Sequence, residues 1–544
     1  MSMLDYSKQK VLIIDDFSEF RVSLKGVVQQ LGANDIDLAP SGEVAIKMCS
    51  KAAYDIILSD YNLGDGKDGQ QLLEELATRD YLKPTSVYIM VTAENTTEMV
   101  MAALEHTPDS YLTKPFTKAL LKSRLDKLLT KKLALEQVNR AIITKNYPKA
   151  LRLADQMVAA GSKYAMACMR IKSDLYLKMA DLSQAKKIYD LVLSKRPIPW
   201  ALLGMGKLLF AQEKYQESIK QFNAVLQQLP NYPEALDWIA RIQVITGKPG
   251  DAQKTLQLAL SITPKVSQRQ ARLGDLARLN KDYDIAKRAY RGAIKHGKDS
   301  CYKNPDSYIN LVSVLTEEIT SGGGIKNKRL SSEALTYLKD LENEFPNDKE
   351  IKLRANLSRH AIYHKLGRDA ETSKYMQLSK TMFTELSESA SGLASTDMAG
   401  AYLREEDYDS CQTILTKVME QYGDDVDIMN SIEMIIDDKE AFAKAVEASK
   451  VNSKGIQAVT NNKLDEAVGF FKQSLAVSPD NVSFNMNLVQ VLLKKCEQSE
   501  DKLASLEEAE KILTSLNRLN AKDYRYIRLQ QLQRMANDIK IGSN

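Results

Sequence analysis

The sequence is poor in the residues that build disulfide frameworks, and it has no segment typical of a membrane span. Only five cysteines occur among 544 residues, and no two share a CxxC spacing, which argues against a disulfide framework or a zinc site. No apolar run approaches the ~20 residues needed to cross a bilayer. The first residues do not have the layout of a signal peptide. We therefore expect a soluble, cytoplasmic protein with reduced thiols.

Neither sign of charge dominates. Lys and Arg total 75 and Asp and Glu total 71, a formal net charge of +4, and this balance disfavours a dedicated nucleic-acid binder. Glycine (24) and proline (14) are scarce for the length, which indicates a mostly helical protein. The chain is too long for one hydrophobic core, so two or more domains are expected.

The first part of the chain alternates short apolar segments with amphipathic stretches of helix length. The stretches Phe20–Leu31 and Gly42–Lys51 are examples of predicted helices. The predicted strands are Val11–Ile14, Ile36–Ala39, Tyr54–Leu58, Val87–Val91 and Ser110–Leu112. Strict alternation of this kind predicts a parallel sheet covered by helices on both faces. Ligands of such sheets bind at the carboxyl ends of the strands.

Polar residues stand at those strand ends: Asp15, Asp16, Asp60, Thr92 and Lys114. Three converging carboxylates would repel one another unless a cation lay among them, and Mg²⁺ is the cation that best suits this set while keeping waters for a phosphate. A hydroxyl and an ammonium opposite the metal complete a cradle for a phosphoryl group, and one carboxylate is then the nucleophile. A lone Asp-Asp pair would more often be a helix cap, but five suitable residues at the strand ends favour a site.

At this point the segment resembles the receiver domain of bacterial response regulators. The motifs LIIDD (12–16), LSDYNL (58–63), MVTAE (90–94) and YLTKPF (111–116) lie in the order and spacing of that family, from residue 8 to about residue 130. The resemblance implies an α/β, doubly wound domain with five parallel strands.

The resemblance also implies a role for each site residue. Asp60 would be the phosphoacceptor, Asp15, Asp16, Asp60 and the backbone carbonyl of Asn62 would bind Mg²⁺, Thr92 and Lys114 would contact the phosphoryl oxygens, and Tyr111 would be the aromatic switch residue. Plain packing is the alternative for Tyr111. The loop Tyr61–Gly69 departs from the family because it lacks the usual proline and is one residue longer.

From about residue 131 a pattern of small and aromatic residues recurs with a period of about 34 residues. Pro197, Pro230 and Pro264 end successive copies, and small residues such as Gly206 and Ala286 stand where paired helices would cross closely. This region resembles the tetratricopeptide family from about residue 135 to about residue 530. An all-α solenoid is expected, because a single hairpin cannot bury its apolar face alone.

The expected domains are a receiver (1–130) and two lobes of helical repeats (131–386 and 387–544). The division of the array rests on the stretch 387–395, which is rich in small residues and is therefore expected to be flexible. Neither glycine nor proline occurs between Pro115 and Pro148, and an apolar stripe runs through that interval. We therefore expect the last receiver helix to continue unbroken into the array.

Arrays of this kind bind a peptide or helix of another protein, and no DNA-reading, cyclase or hydrolase motif follows the receiver. The sequence thus predicts a response regulator that accepts a phosphoryl group on Asp60 from a histidine kinase or phosphotransfer protein. Its output would be protein–protein interaction of the array, for example with a kinase or another regulator. Its only catalysis would be its own Mg²⁺-dependent phosphorylation and dephosphorylation.

The alternative is a constitutive scaffold whose receiver is only an assembly module. No nucleic-acid or membrane partner is expected in either case, and the sequence leaves a homodimer open.

Overall fold

The computed structural model describes residues 5–93, 108–320, 324–386, 389–433, 439–498, 503–519 and 525–541. The chain forms two compact units, Met1–Ser307 and Tyr308–Asn544. The glutamate that ends the MVTAE motif lies outside the described residues.

The first unit begins with a five-stranded parallel sheet. Its strands are Lys10–Ile14 (β1), Asp35–Ala39 (β2), Ile56–Asp60 (β3), Val87–Thr92 (β4) and Ser110–Thr113 (β5). Their order is β2-β1-β3-β4-β5, and every neighbouring pair is parallel. The predicted fold class is confirmed.

Helices cover both faces of this sheet, as the near-continuous apolar strands require. The described helices are Ser18–Gln29 (α1), Gly42–Cys49 (α2), Gly69–Thr78 (α3) and Lys118–Ala134 (α4). Leu24 of α1 and Leu125 of α4 pack with Ile13 on one face. Leu72 of α3 packs with Ile14 on the other. Successive residues of β1 therefore enter opposite cores, which is the period-2 alternation of a strand.

The connection between receiver and array differs from the expected continuous helix. Helix α4 ends at Ala134, Leu135 leaves the helical conformation with φ −97° and ψ 3°, and Glu136–Ile143 (α5) begins at once. The stripe of α4 packs against the sheet, whereas Leu135 is 4% exposed and packs with Val138 in the first core of the array. A straight helix could not point the apolar residues of α4 at the sheet and those of α5 at the core of the array. The chain therefore changes direction at the single residue Leu135.

The array of the first unit continues as antiparallel helix pairs. The helices are Tyr147–Ala159 (α6), Ala165–Lys178 (α7), Leu182–Leu193 (α8), Pro199–Ala211 (α9), Tyr215–Gln228 (α10), Pro233–Ile245 (α11), Pro249–Ile262 (α12), Ser267–Leu279 (α13) and Tyr283–Gly297 (α14). Helix Pro305–Glu317 (α15) spans the boundary between the units.

The second unit is helical throughout its described part. Its helices are Ile325–Glu344 (α16), Lys349–Lys365 (α17), Asp369–Leu386 (α18), Gly392–Arg404 (α19), Tyr408–Tyr422 (α20), Val426–Glu433 (α21), Lys439–Thr460 (α22), Leu464–Val477 (α23), Val482–Gln498 (α24), Leu503–Ser515 (α25) and Tyr526–Ile541 (α26). The predicted division of the array at residue 387 stays a prediction. Within the stretch proposed to be flexible, however, Gly392 already begins a helix that the Ser391 side chain caps.

Glycines and aromatic rings pair where the helices of a repeat cross. A Cβ atom added to Gly206 would lie 2.5 Å from the Phe222 ring, and a Cβ atom added to Gly274 would lie 2.5 Å from the Tyr290 ring. Only glycine allows the backbone of one helix to approach the ring on the next so closely. The predicted solenoid of crossing helix pairs is confirmed. Within the described ranges, no helix is both long and apolar enough to span a bilayer.

Candidate functional site

Three carboxylates meet at the carboxyl edge of the sheet. Asp15 and Asp16 follow β1, and Asp60 ends the adjacent parallel strand β3. Because these strand ends lie side by side, one carboxylate oxygen of each residue lies within 4.8 Å of the other two. Asp15 is buried and Asp16 is exposed, so the cluster is reached from solvent on one side.

Lys114 supplies the positive charge of the site. Its Nζ donates to Asp15 Oδ2 at 2.8 Å and to Asp60 Oδ2 at 2.9 Å. Its backbone N–H donates to the Thr92 carbonyl at 2.7 Å, and the Lys114–Pro115 peptide bond is cis. The hydrogen bond from the lysine backbone thus continues the pairing of β4 with β5 and holds the ammonium over the carboxylates.

The electrostatics of this group are set by burial and by the ammonium. Burial raises the pKa of the Asp60 carboxyl, with Lys114 opposing the rise and the Asp15 carboxylate adding to it. Burial also pulls down the pKa of Lys114, but its hydrogen bonds to Asp15 and Asp60 outweigh that effect, so the pKa is raised overall. Lys114 therefore carries its charge at neutral pH.

Backbone N–H groups orient the two buried carboxylates. Tyr61 N donates to Asp60 Oδ1 at 2.8 Å, and Phe17 N donates to Asp15 Oδ1 at 2.9 Å. The donor atoms around the cluster are oxygens, which suit a hard divalent cation. Asn62 lies nearby in the exposed loop that follows Asp60, so its carbonyl belongs to a segment of the chain that can face a cation.

Thr92 and Tyr111 lie at the same end of the sheet. Thr92 ends β4, is 5% exposed and stands opposite Thr113 of β5. Tyr111 stands opposite Met90 and packs against the core that includes α2 and α3. The Tyr111 hydroxyl is buried and has no hydrogen-bond partner among the residues that the structure describes, and burial raises the pKa of this phenol.

The start of α3 packs closely against the end of β3, and the loop between them turns at two glycines. A Cβ atom on Gly69, the first residue of α3, would lie 2.2 Å from the Asp60 carbonyl oxygen, so only glycine allows α3 to begin this close to β3. Gly64 and Gly66 have positive φ values of 74° and 96°. These two glycines form the turn in a loop that lacks the family's usual proline. The Asp68 side chain caps α3.

Two residues that the sequence reasoning missed complete the site. The Lys114 ammonium lies 3.8 Å from the centroid of the Phe20 ring, a cation–π contact, and Phe20 packs edge-to-face on Phe116 with 6.4 Å between centroids. The Arg21 guanidinium donates to the Asp15 carbonyl. Phe20 and Arg21 lie in the first turn of α1, shortly after Asp15 and Asp16. This position was the feature of the sequence that could have identified them as site residues.

Comparisons with known proteins identify the two kinds of domain in this chain. A family model of the response regulator receiver domain matches residues 11–126, and a tetratricopeptide repeat model matches residues 209–276. Chemotaxis protein CheY-3 of Vibrio cholerae is 37% identical over 119 residues, which are 22% of this chain and 90% of that protein. Chemotaxis protein CheY of Pseudomonas aeruginosa is 33% identical, over 22% of this chain and 94% of that protein.

Two solved structures are similar to part of this chain. A two-component response regulator from Clostridium difficile is 30% identical, with 23% of this chain and 98% of that chain covered and a TM-score of 0.21. The chemotaxis response regulator CheY4 of Vibrio cholerae is 25% identical, with 22% and 98% covered and a TM-score of 0.21.

Proposed function

Because the chain belongs to the response regulator receiver family and carries tetratricopeptide repeats, we propose that it accepts a phosphoryl group on Asp60 and signals through protein binding by its array. One observation carries the proposal: three carboxylate oxygens cluster within 4.8 Å, and the Lys114 ammonium contacts two of those carboxylates. Such a cluster is costly unless it serves a cation and an anion.

The reaction is a displacement at phosphorus. An Asp60 carboxylate oxygen forms the new O–P bond while the P–N bond of a phosphohistidine breaks, and the histidine nitrogen keeps the electron pair and takes up a proton. The donor is a histidine kinase or a phosphotransfer protein. Lys114 offsets the negative charge that gathers on the transferred group.

The acidic residues would hold Mg²⁺ through Asp15, Asp16, Asp60 and the backbone carbonyl of Asn62. When bound, Mg²⁺ supplies the remaining charge neutralisation at the phosphoryl oxygens. Thr92, at the same edge, would donate its hydroxyl to one of these oxygens. The sequence-predicted roles of all four ligands thus fit a donor set made of oxygen alone.

Tyr111 is proposed to report the state of Asp60. Within the described part of the chain, its buried hydroxyl has no hydrogen-bond partner, and a buried hydroxyl without a partner costs roughly 1–3 kcal/mol of stability. A position in which that hydroxyl met a partner or solvent would recover this energy, so the ring has a physical reason to move when the site changes.

The array is proposed to bind a protein partner, for example a kinase or another regulator. Its helix pairs stack in the manner of repeat proteins, whose curved surfaces serve as binding sites for peptides and helices. The lobes 131–386 and 387–544 would divide this surface.

The test is phosphorylation of the full chain by phosphoramidate, with Mg²⁺ or with EDTA, read as a mass increase. We expect labelling of the wild type with Mg²⁺ only and none of Asp60→Asn. Asp65→Asn is the matched control, because Asp65 is an exposed carboxylate of the same loop; it should label normally. Labelling of Asp60→Asn would refute the assignment. An unreactive wild type that still bound a partner would favour the constitutive scaffold.

A further inference from the structure

The loop and helix that follow Asp60 contact the array within the first compact unit. We call residues 61–78 the docking face, and the segments 263–266 and 296–302, which lie at the ends of α12 and α14, the array turns. Gln71 Nε2 donates to the His296 carbonyl at 3.0 Å, and the Lys67 ammonium donates to the Asp299 carbonyl.

At the far end of α3, the contact continues through a hydroxyl and a thiol. Thr78 Oγ1 lies 3.8 Å from Cys301 Sγ. The docking face therefore meets the array along the whole length of α3, through residues more than 220 positions apart in the sequence.

The contact reaches the immediate neighbour of the phosphoacceptor. Lys265 Nζ lies 5.8 Å from the centroid of the Tyr61 ring, and Tyr61 directly follows Asp60. Burial raises the pKa of Asp68 at the other end of the loop, and the Lys265 ammonium opposes that rise. One lysine of the array thus acts on both ends of the phosphoacceptor loop.

The two sides of the contact have opposite charge. The docking face is acidic: Glu74 and Glu75, after burial, contribute to the raised pKa of the Cys301 thiol across the contact. The array turns carry two lysines, Lys265 and Lys298, against one carboxylate, Asp299. The pKa of His296 is lowered by burial and then by the ammonium groups of Lys295, which directly precedes it, and Lys265. Opposite potentials across a contact favour association.

Gln71 links the loop to the contact mechanically. Its Oε1 accepts from the Asp68 backbone N–H at 3.0 Å, which closes the capping box of α3. Its Nε2 is the atom that donates to His296. Because the Gln71 side chain hydrogen-bonds both the loop and the array, a rearrangement of the loop changes the docking contact.

We infer that the docking face and the array turns form a phosphorylation-sensitive intramolecular interface, which tightens when Asp60 carries a phosphoryl group. The inference rests on the proposed function. A phosphoryl group adds about one and a half to two negative charges to the acidic side, next to the loop that Lys265 faces. Thermodynamic linkage then requires that docking stabilise the phosphorylated receiver by the same factor. The array turns would then read the state of the receiver directly.

The chain offers a cross-link that measures docking. Thr78→Cys would place a thiol beside the native Cys301, and the other four cysteines are buried, so mild oxidation of the full chain should join this pair selectively. Thr78 is exposed, so the substitution spares the core. Thr78→Cys/Cys301→Ser is the control that cannot form the bond. The disulfide is quantified on non-reducing gels and by mass spectrometry, with Mg²⁺ and with or without beryllofluoride.

We expect the cross-link to form without beryllofluoride, and its rate to rise about fivefold or more when beryllofluoride is added. Thr78→Cys/Asp60→Asn should cross-link but not respond. Lys265→Glu in the Thr78→Cys background should lose the response, whereas Lys220→Glu, an exposed lysine of α10, should keep it.

A Thr78→Cys chain that does not cross-link overturns the interface. A rate that is unchanged or lowered by beryllofluoride overturns the coupling. Phosphoramidate labelling of the same protein separates the two proposals: normal labelling with an unresponsive cross-link refutes only this inference, whereas absent labelling refutes the proposed function.

Discussion

Two glycines of one helix pair allow the packing of the array to be measured. A Cβ atom on Gly455 in α22 would lie 2.5 Å from the Phe471 ring in α23, whereas a Cβ atom on Gly469 in α23 would meet no atom of the described residues within 4 Å. Phe471 is 1% exposed, so its ring has little room to retreat. The two positions share the same hairpin but differ in the space that a methyl group would find.

Both substitutions to alanine gain helix propensity, by roughly 0.5–1 kcal/mol. In Gly455→Ala, overpacking against the ring costs about 1–3 kcal/mol and outweighs this gain. In Gly469→Ala, only the gain remains. We therefore expect the free energy of unfolding of Gly455→Ala to lie about 1–3 kcal/mol below that of Gly469→Ala.

Urea denaturation followed by far-UV circular dichroism measures this difference, because midpoints can be compared at a common slope. A double-mutant cycle with Phe471→Leu identifies the cause: removing the ring should relieve most of the penalty of Gly455→Ala. If Gly455→Ala and Gly469→Ala unfolded within about 0.5 kcal/mol of each other, the reasoning from close helix crossing would be refuted.

Three further results are expected. Gly69→Ala should destabilise the receiver and impair phosphoramidate labelling, because the added methyl group would collide with the Asp60 backbone. Gly26→Ala in α1 is the control and should do neither, because no atom of the described residues lies within 4 Å of the added methyl group. Equal melting temperatures of the two variants would contradict the close approach at Gly69. Lys114→Gln should lower the labelling rate by about 10²-fold, and an unchanged rate would remove the lysine from the mechanism. Burial lowers the pKa of His360 although Glu405 opposes this, so as pH falls the imidazole is protonated in the unfolded chain before it is protonated in the folded one. The free energy of unfolding should therefore fall as pH drops below about 6.5. A pH–stability profile of His360→Gln as steep as that of the wild type would disprove this origin.

The positions of the acidic residues were predictable because parallel strands end at a common edge. Once β1 and β3 were recognised as neighbouring apolar strands, Asp15 and Asp60 had to approach each other. Phe20 and Arg21 were not predictable in the same way. Their position depends on the direction in which α1 leaves the sheet, and the hydrophobic pattern alone does not give that direction.

The period of the repeats predicted the close helix crossings. The turn at Leu135 was not predicted, because the sequence indicated a continuous helix there. The apolar stripe runs through that residue without a glycine or proline to mark a break. Two different cores bury the two parts of the stripe, and packing of this kind becomes visible only in three dimensions. Composition also misled at Gly392, because small residues that suggest flexibility are compatible with a helix once Ser391 caps it.

The contact between Lys67 and Asp299 was beyond the reach of sequence reasoning. It depends on the summed rotation of every helix pair between them, and small errors in each pair accumulate along a solenoid.

The one-residue joint between α4 and α5 sets a concentration scale for that contact. Two surfaces tethered by a short connection meet at an effective concentration on the order of millimolar. A docking face whose intrinsic dissociation constant was about ten times larger than this would be occupied about a tenth of the time, which leaves room for the rise in cross-linking expected on phosphorylation. A separate receiver present at a thousandth of this concentration would need about 10³-fold tighter binding to displace it. The short joint therefore insulates the array from other receivers, and it does so without requiring a strong interface.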